Sequence, residues 1–263
     1  MIYTKFVVLT MLNVVLIGTG NVAENLIHAL YASNQVELLQ IVGRNKYALE
    51  QHKGKAKPSL NFKDVVEADI YIIAVSDNAI EAVSKKLSNK RGIVVHTSGA
   101  TSMDHILCEK KGVFYPLQTF TKGRILDFSN IPICVEASNE DGLNTLQQLA
   151  GHISKKVYKV DSEQRKKLHL AAVFANNFSN HIFHISEALC QRGGLSFELL
   201  KPLLLETVEK LEILSPFEAQ TGPARRNDTE SMEKHLELLS DNEHKKLYTL
   251  LSEAIIKTYE KEL

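Results

Sequence analysis

The chain has no tryptophan and only three cysteines, Cys108, Cys134 and Cys190, among its 263 residues. An odd, widely spaced set of this kind gives neither a disulfide framework nor the paired spacing of a zinc site, and it fits a reducing cytosol. Charge of one sign is not in excess either, since 31 Lys and Arg balance 31 Asp and Glu. That balance removes the electrostatic ground for binding nucleic acid or an anionic membrane. Long hydrophobic runs are also missing. The stretch Phe6-Val7-Val8-Leu9-Thr10-Met11-Leu12 behind Lys5 looks a little like a signal-peptide core. No small-residue cleavage site comes after it, and it is shorter than the ~20 residues that span a bilayer. The expectation is a cytoplasmic protein with a short N-terminal extension, in which Met1 and Met11 are both candidate starts. The rest of the composition is 44% apolar and 24% charged, the make-up of a soluble globular chain long enough for one large domain or two.

The most informative stretch is Val14-Val15-Leu16-Ile17-Gly18-Thr19-Gly20-Asn21-Val22-Ala23. A β-branched run ends in a glycine turn, and an amphipathic segment begins at once. In a G-x-G-x-x-A pattern the first glycine permits the tight turn. The second lets backbone N–H groups approach a pyrophosphate, and the small third residue lets helix pack on strand. The start of the helix adds free N–H donors and aligned dipoles that suit a dianion. Gly18, Thr19, Gly20, Asn21 and Val22 are therefore candidate cofactor residues. A second strand, Val36 to Val42, ends in Gly43-Arg44-Asn45. A carboxylate at this place would accept from the ribose 2′-OH of NAD, whereas arginine accommodates the 2′-phosphate of NADP. Arg44 and Asn45 thus point to NADP; the other reading of Arg44 is an ordinary exposed loop arginine.

The run Ala68 to Val75 suits a parallel strand buried on both faces, and its end places Ala74, Val75 and Ser76 against the ribose or pyrophosphate. Gly92 to His96 predicts a fifth strand leading into Thr97-Ser98-Gly99-Ala100. His96, Ser98 and Gly99 would then lie near the nicotinamide end, with His96 and Ser98 orienting a carbonyl. The alternative for His96 is a histidine satisfied within the core. Further strands over 112–120, 131–136 and 155–160, with a helix from about Asn139 to His152, predict a doubly wound α/β sheet.

Beyond Asp161 the pattern becomes helical to the C-terminus, so the boundary is placed near Val160: residues 1–160 for the nucleotide-binding domain, 161–263 for an all-helical one. One helix is predicted from Asp161 to about Arg192, carrying His169, Asn176, Asn177, Asn180, His181 and His184. Steps of three and four put His169, Val173, Asn176 and Asn180 on one stripe. Three asparagines within five residues lower helix propensity, a cost that points to hydrogen-bonding work in a cleft or a polar seam. No metal site is expected there, because the histidines lack partner ligands at a recognisable spacing. The segment Gln220-Thr221-Gly222-Pro223-Ala224-Arg225-Arg226-Asn227-Asp228 combines a turn, two arginine forks and a helix cap. Arg225 is a candidate clamp for a substrate carboxylate, or a surface arginine paired with nearby acids.

Taken with Tyr115-Pro116-Leu117-Gln118-Thr119-Phe120, these motifs resemble a bacterial family that joins a Rossmann-like domain to a C-terminal domain of unknown function. The wider group is that of the pyrroline-5-carboxylate reductases and β-hydroxyacid dehydrogenases. The resemblance implies a Rossmann domain leading into helices, a nicotinamide cofactor and a homodimer formed through the helical domain. It also exposes a departure. β-Hydroxyacid dehydrogenases carry a catalytic lysine three residues before the paired asparagines, and here Val173 holds that register. His169, one turn earlier, is the substitute proton donor; Lys166 and Lys167 are further off. The resulting expectation is an NADP-dependent oxidoreductase that reduces a small polar carbonyl or imine, with His169, Asn176 and Ser98 catalytic. His96, Gly99, Asn180 and Arg225 would contact the substrate. The rival expectation is an NADP-binding regulatory or sensor protein without catalysis.

Overall fold

The computed structural model describes residues 11–260; the apolar stretch before Met11 and the choice between the two candidate starts lie outside them. The described chain divides into two compact units, residues 1–176 and 177–263.

The first unit is built on one eight-stranded sheet in the order β3-β2-β1-β4-β5-β6-β7-β8. Strand β1 is Leu12–Ile17, β2 Val36–Val42, β3 Lys57–Ser59, β4 Ile70–Ile73 and β5 Ile93–His96. Helices α1 (Asn21–Ala32), α2 (Lys46–Glu50) and α3 (Ile80–Lys85) connect them. The order reverses between β1 and β4, which are parallel neighbours. This switch point, at the carboxyl ends of the strands, is where open α/β sheets bind ligands. Strand β1 shows why the sheet is buried on both sides. Val14 and Leu16 enter the core under α1, while Val15 and Ile17 enter a second core that includes Ile80 of α3.

Beyond β5 the alternation of strand and helix stops. Between β5 and β6 (Lys111–Pro116) there is only a 3₁₀ turn, and another precedes β7 (Ile133–Ala137). With no crossover helix to carry it back, β7 pairs antiparallel with β6. Helix α4 (Glu140–Ile153) then restores a parallel pairing of β7 with β8 (Val157–Lys159).

The sheet ends at Lys159, close to the expected boundary, but the compact unit also takes in α5 (Ser162–Ala172). The reason is Arg165. Its side chain is fully buried and forms an ion pair with Glu136 of β7, and it also donates to the Thr101 carbonyl. The start of α5 is fixed by a capping box in which the Asp161 carboxylate accepts from Gln164 N–H and Gln164 returns a bond to the Asp161 N–H. The predicted long helix is not regular: a π-helical turn, Val173–Phe178, separates α5 from α6 (Ser179–Arg192). The expected stripe of His169, Val173, Asn176 and Asn180 is interrupted there, since Val173 and Asn176 both lie in the π-helical turn.

The second unit holds α6, then α7 (Lys201–Glu209), α8 (Thr229–Leu238) and α9 (Asn242–Tyr259). Pro202 sits in the first turn of α7, where its missing N–H costs nothing. Among the described residues, no helix is long and apolar enough to cross a membrane.

Candidate functional site

The glycine turn lies at the switch point, and each of its glycines has a different task. Gly18 adopts φ +134°, and a Cβ there would stand 2.0 Å from the Ala74 carbonyl oxygen. Its bare backbone therefore lets the ends of β1 and β4 touch, beyond serving as a tight turn. Gly20 faces open space, with nothing within 4 Å of where a Cβ would be. It is the N-cap of α1, and among the described residues no side chain caps that helix. The first N–H groups of α1 are thus left without a side-chain acceptor, as a phosphate cradle requires. A Cβ on Gly43 would lie 2.8 Å from Thr19 Cγ2. The loop that carries Arg44 is thereby pressed against the glycine turn, with Arg44 itself exposed.

Other predicted cofactor residues turn out to be occupied. Asn45 accepts from Ala48 N–H and caps α2. Asn21 donates its amide to the Phe120 carbonyl, 3.0 Å away, so the side chain holds the segment after β6 while its backbone stays at the turn. Ser76 donates to Asn78 Oδ1. Ala74 is buried and Val75 half-buried beside Gly18.

The second cluster gathers around the end of β5. His96 is completely buried. Its Nδ1 accepts from Ser98 N–H at 3.1 Å, and its Nε2 stands 3.3 Å from the Ser102 carbonyl. Burial, helped by the nearby Arg165 guanidinium, pushes its pKa down to about 4. His96 is thereby held as a neutral brace for its own loop, as in the core alternative raised for it. Ser98 is likewise engaged. Its hydroxyl accepts from the N–H groups of Ala100 and Thr101 and donates to Thr101 Oγ1, so it caps the turn after β5.

The two braces support Gly99. A Cβ at this position would meet His169 Nδ1 at 2.5 Å and Cγ at 2.8 Å, so glycine is what allows the α5 histidine to lie on the loop. Tyr115, near the end of β6, completes the group. Its hydroxyl is 3.2 Å from His169 Nδ1, and the two rings meet edge to face at 6.1 Å. Tyr115 is buried, which raises its pKa to about 12. Arg165 sits behind the loop and donates to the Thr101 carbonyl at 2.6 Å and to Ser162 Oγ at 3.1 Å.

The structure thus brings together Gly99 and His169, which the sequence singled out, with Tyr115 and Arg165, to which it gave no role. Tyr115 was visible only as part of a Tyr-Pro strand end, and nothing in its spacing pairs it with a residue 54 positions away. Asn176 is exposed within the π-helical turn. In the second unit Asn180 is exposed on α6, and Arg225 stacks its guanidinium over the Tyr259 ring at 4.1 Å. The turn around Arg225 forms as expected: Asn227 adopts a left-handed conformation, and Asp228 caps α8 through Ser231 N–H.

Comparison with known proteins fits this arrangement. Residues 13–99 match the family described as NADP oxidoreductase, coenzyme F420-dependent, and residues 131–255 match a domain of unknown function, DUF2520. A solved structure from Bacteroides fragilis, provisionally named an NADP oxidoreductase, is 37% identical with a TM-score of 0.86, covering 95% of this chain and 99% of that one. Protein TM1727 of Thermotoga maritima is 22% identical with a TM-score of 0.74, over 95% and 99% of the two chains. A 1-pyrroline-5-carboxylate reductase of Streptococcus pyogenes shares the fold at 17% identity and a TM-score of 0.62, over 95% and 98%. None of the curated proteins matches the chain. By its 37% identity over nearly the whole length and by its two matched domains, the chain belongs to the family that joins an NADP oxidoreductase domain to a DUF2520 domain.

Proposed function

We propose that the protein is an NADP-dependent oxidoreductase that reduces a small polar carbonyl or imine. The observation that carries this reading is the uncapped N-terminus of α1 at Gly20, with the Arg44 loop packed on Thr19. Backbone N–H groups would take the pyrophosphate, and the exposed guanidinium would take the 2′-phosphate with forked, charge-assisted bonds. NADPH, when bound, supplies a hydride. The chain's own part is to hold a proton at His169 Nε2. Protonated His169 would release its Nε2 proton to the substrate oxygen or nitrogen, that N–H bond breaking as the new O–H or N–H bond forms, and would be left as a neutral ring with its hydrogen on Nδ1 beside Tyr115. Asn176 offers an exposed amide to orient the substrate.

A second reading, a non-catalytic NADP-binding sensor, is favoured by one specific observation. Val173 replaces the lysine expected in the related dehydrogenases and opens the π-helical turn. Under either reading we propose a homodimer through the helical unit, because that unit buries little of its own apolar surface.

Titration of the protein with NADPH and NADH, monitored by nicotinamide fluorescence, tests the cofactor assignment. Arg44→Ser is expected to weaken NADPH binding by roughly ten- to a hundredfold, the worth of a charge-assisted contact, and to leave NADH unchanged. Gly20→Ala should weaken both. Equal loss for both cofactors in Arg44→Ser would overturn the choice of NADP. Oxidation of NADPH across a panel of keto acids and imines then separates the readings: turnover that falls in His169→Ala supports the reductase, and tight binding without turnover supports the sensor.

A further inference from the structure

The Tyr115–His169 contact bears on which nitrogen of a candidate catalytic imidazole carries hydrogen. We propose that Tyr115 is a positioning residue that holds His169 with its hydrogen on Nε2, so that the ring presents a donor and not a lone pair to a bound ligand. This rests on the reading of His169 as the group that meets the substrate.

Three observations carry it. The Tyr115 hydroxyl has His169 Nδ1, at 3.2 Å, as its hydrogen-bond partner among the described residues. A buried O–H with one acceptor in reach donates to it. Burial keeps the phenol protonated, with its pKa raised to about 12, so the donor persists throughout the neutral range. Gly99 fixes the orientation, because its backbone lies against the Nδ1 and Cγ side of the ring. A half-turn of the imidazole would replace the Tyr115 bond with a carbon contact.

Imidazole chemistry supplies the consequence. In the neutral ring a lone pair on Nδ1 means that the single hydrogen is on Nε2. If the ring gains a second proton, Nδ1–H turns to donate to the phenol oxygen, and Nε2–H stays in place. In both charge states the nitrogen remote from Tyr115 carries hydrogen. Such an N–H polarises a carbonyl even when the imidazole is neutral. Without Tyr115 the neutral ring is free to move its hydrogen to Nδ1, and the Nε2 lone pair would then repel the same oxygen.

The test uses the full-length protein labelled with ¹⁵N-histidine and long-range ¹H–¹⁵N spectra of the imidazoles at alkaline pH. His169→Gln identifies the His169 signals by their loss. The expected pattern is Nε2 protonated and Nδ1 unprotonated, with the Nδ1 resonance displaced as for a hydrogen-bond acceptor. Tyr115→Phe, checked for folding by its amide spectrum, should remove that displacement and mix the two tautomers. Protonated Nδ1 in the wild type, or a Tyr115→Phe spectrum identical to it, would overturn the proposal. Should Tyr115→Phe fail to fold, the wild-type Nδ1 position decides alone: displaced supports, undisplaced overturns. NADPH affinity measured on the same samples keeps the two ideas apart. Failure to bind NADPH with the tautomer pattern intact counts against the oxidoreductase reading, whereas normal binding with the wrong tautomer counts against Tyr115.

Discussion

A histidine at the end of a parallel strand can serve a ligand or its own loop, and His96 serves its loop. Both ring nitrogens are engaged and the ring is fully enclosed, so its preference for the neutral form becomes a stability term. The folded pKa is about 4, against 6.5 for the free side chain. Between those values the unfolded chain binds a proton that the folded chain refuses. The contribution is therefore fully present above about pH 6.5 and is lost as pH falls toward 4, at about 1.4 kcal/mol per unit and about 3 kcal/mol in all. His28 and His52, whose pKa values burial also lowers, act in the same direction. Urea midpoints should stay level from pH 8 to about pH 7, fall from there to pH 5 in the wild type, and fall less over that lower range in His96→Gln. Equal slopes would show that His96 is not the titrating group.

Among the helices, α5 depends most on one side chain. The Arg165 guanidinium crosses from the helix to Glu136 on β7 and to the Thr101 carbonyl of the loop that carries Gly99. It thereby ties together the histidine and the glycine it rests on. Removing one partner of a buried pair leaves the other charge without compensation, at about 3–5 kcal/mol. Arg165→Met is expected to lower the melting temperature by roughly 10 °C, given ~2–4 °C per kcal/mol for a chain of this size. The double variant Arg165→Met with Glu136→Leu should recover much of that loss, because neither charge is then stranded. A double variant as unstable as the single one would assign the cost to packing alone. Asn176 and Asn177, weak helix formers, fall within the π-helical turn that follows α5.

For the molecule as a whole, the balance of burial differs sharply between the two units. The sheet has extensive cores on both faces. In the second unit only Ala219, Ala224, Leu239 and Tyr259 are buried among the described residues, while Leu199, Leu203, Leu205, Val208 and Ile213 are each more than 60% exposed. Exposed apolar surface on this scale marks an interaction site, and the homodimer proposed above would cover it with a second copy of the chain. Light scattering should give twice the 29.5 kDa chain mass, and Leu203→Glu with Val208→Glu should give monomer or insoluble protein. A wild-type monomer that stays soluble at micromolar concentration would rule out the homodimer.

The sequence by itself determined the parallel half of the sheet and the glycine turn, because those depend on local pattern: near-continuous apolar runs, glycines at fixed offsets, and helical spacing of apolar residues between them. It also determined the caps at Asp161 and Asp228, where a side chain bonds to backbone three residues away. Only the tertiary structure decided the roles of His96, Ser98, Tyr115 and Arg165, since each depends on partners brought together by strand pairing or helix docking. Gly99 and His169 show the division most clearly. The chain marks both as polar-site residues, but the long stretch of sequence between them carries no signal that one is small so that the other can lie against it. That contact arises from α5 packing on the loop after β5, with Arg165 fastening the helix and Tyr115 closing over the ring.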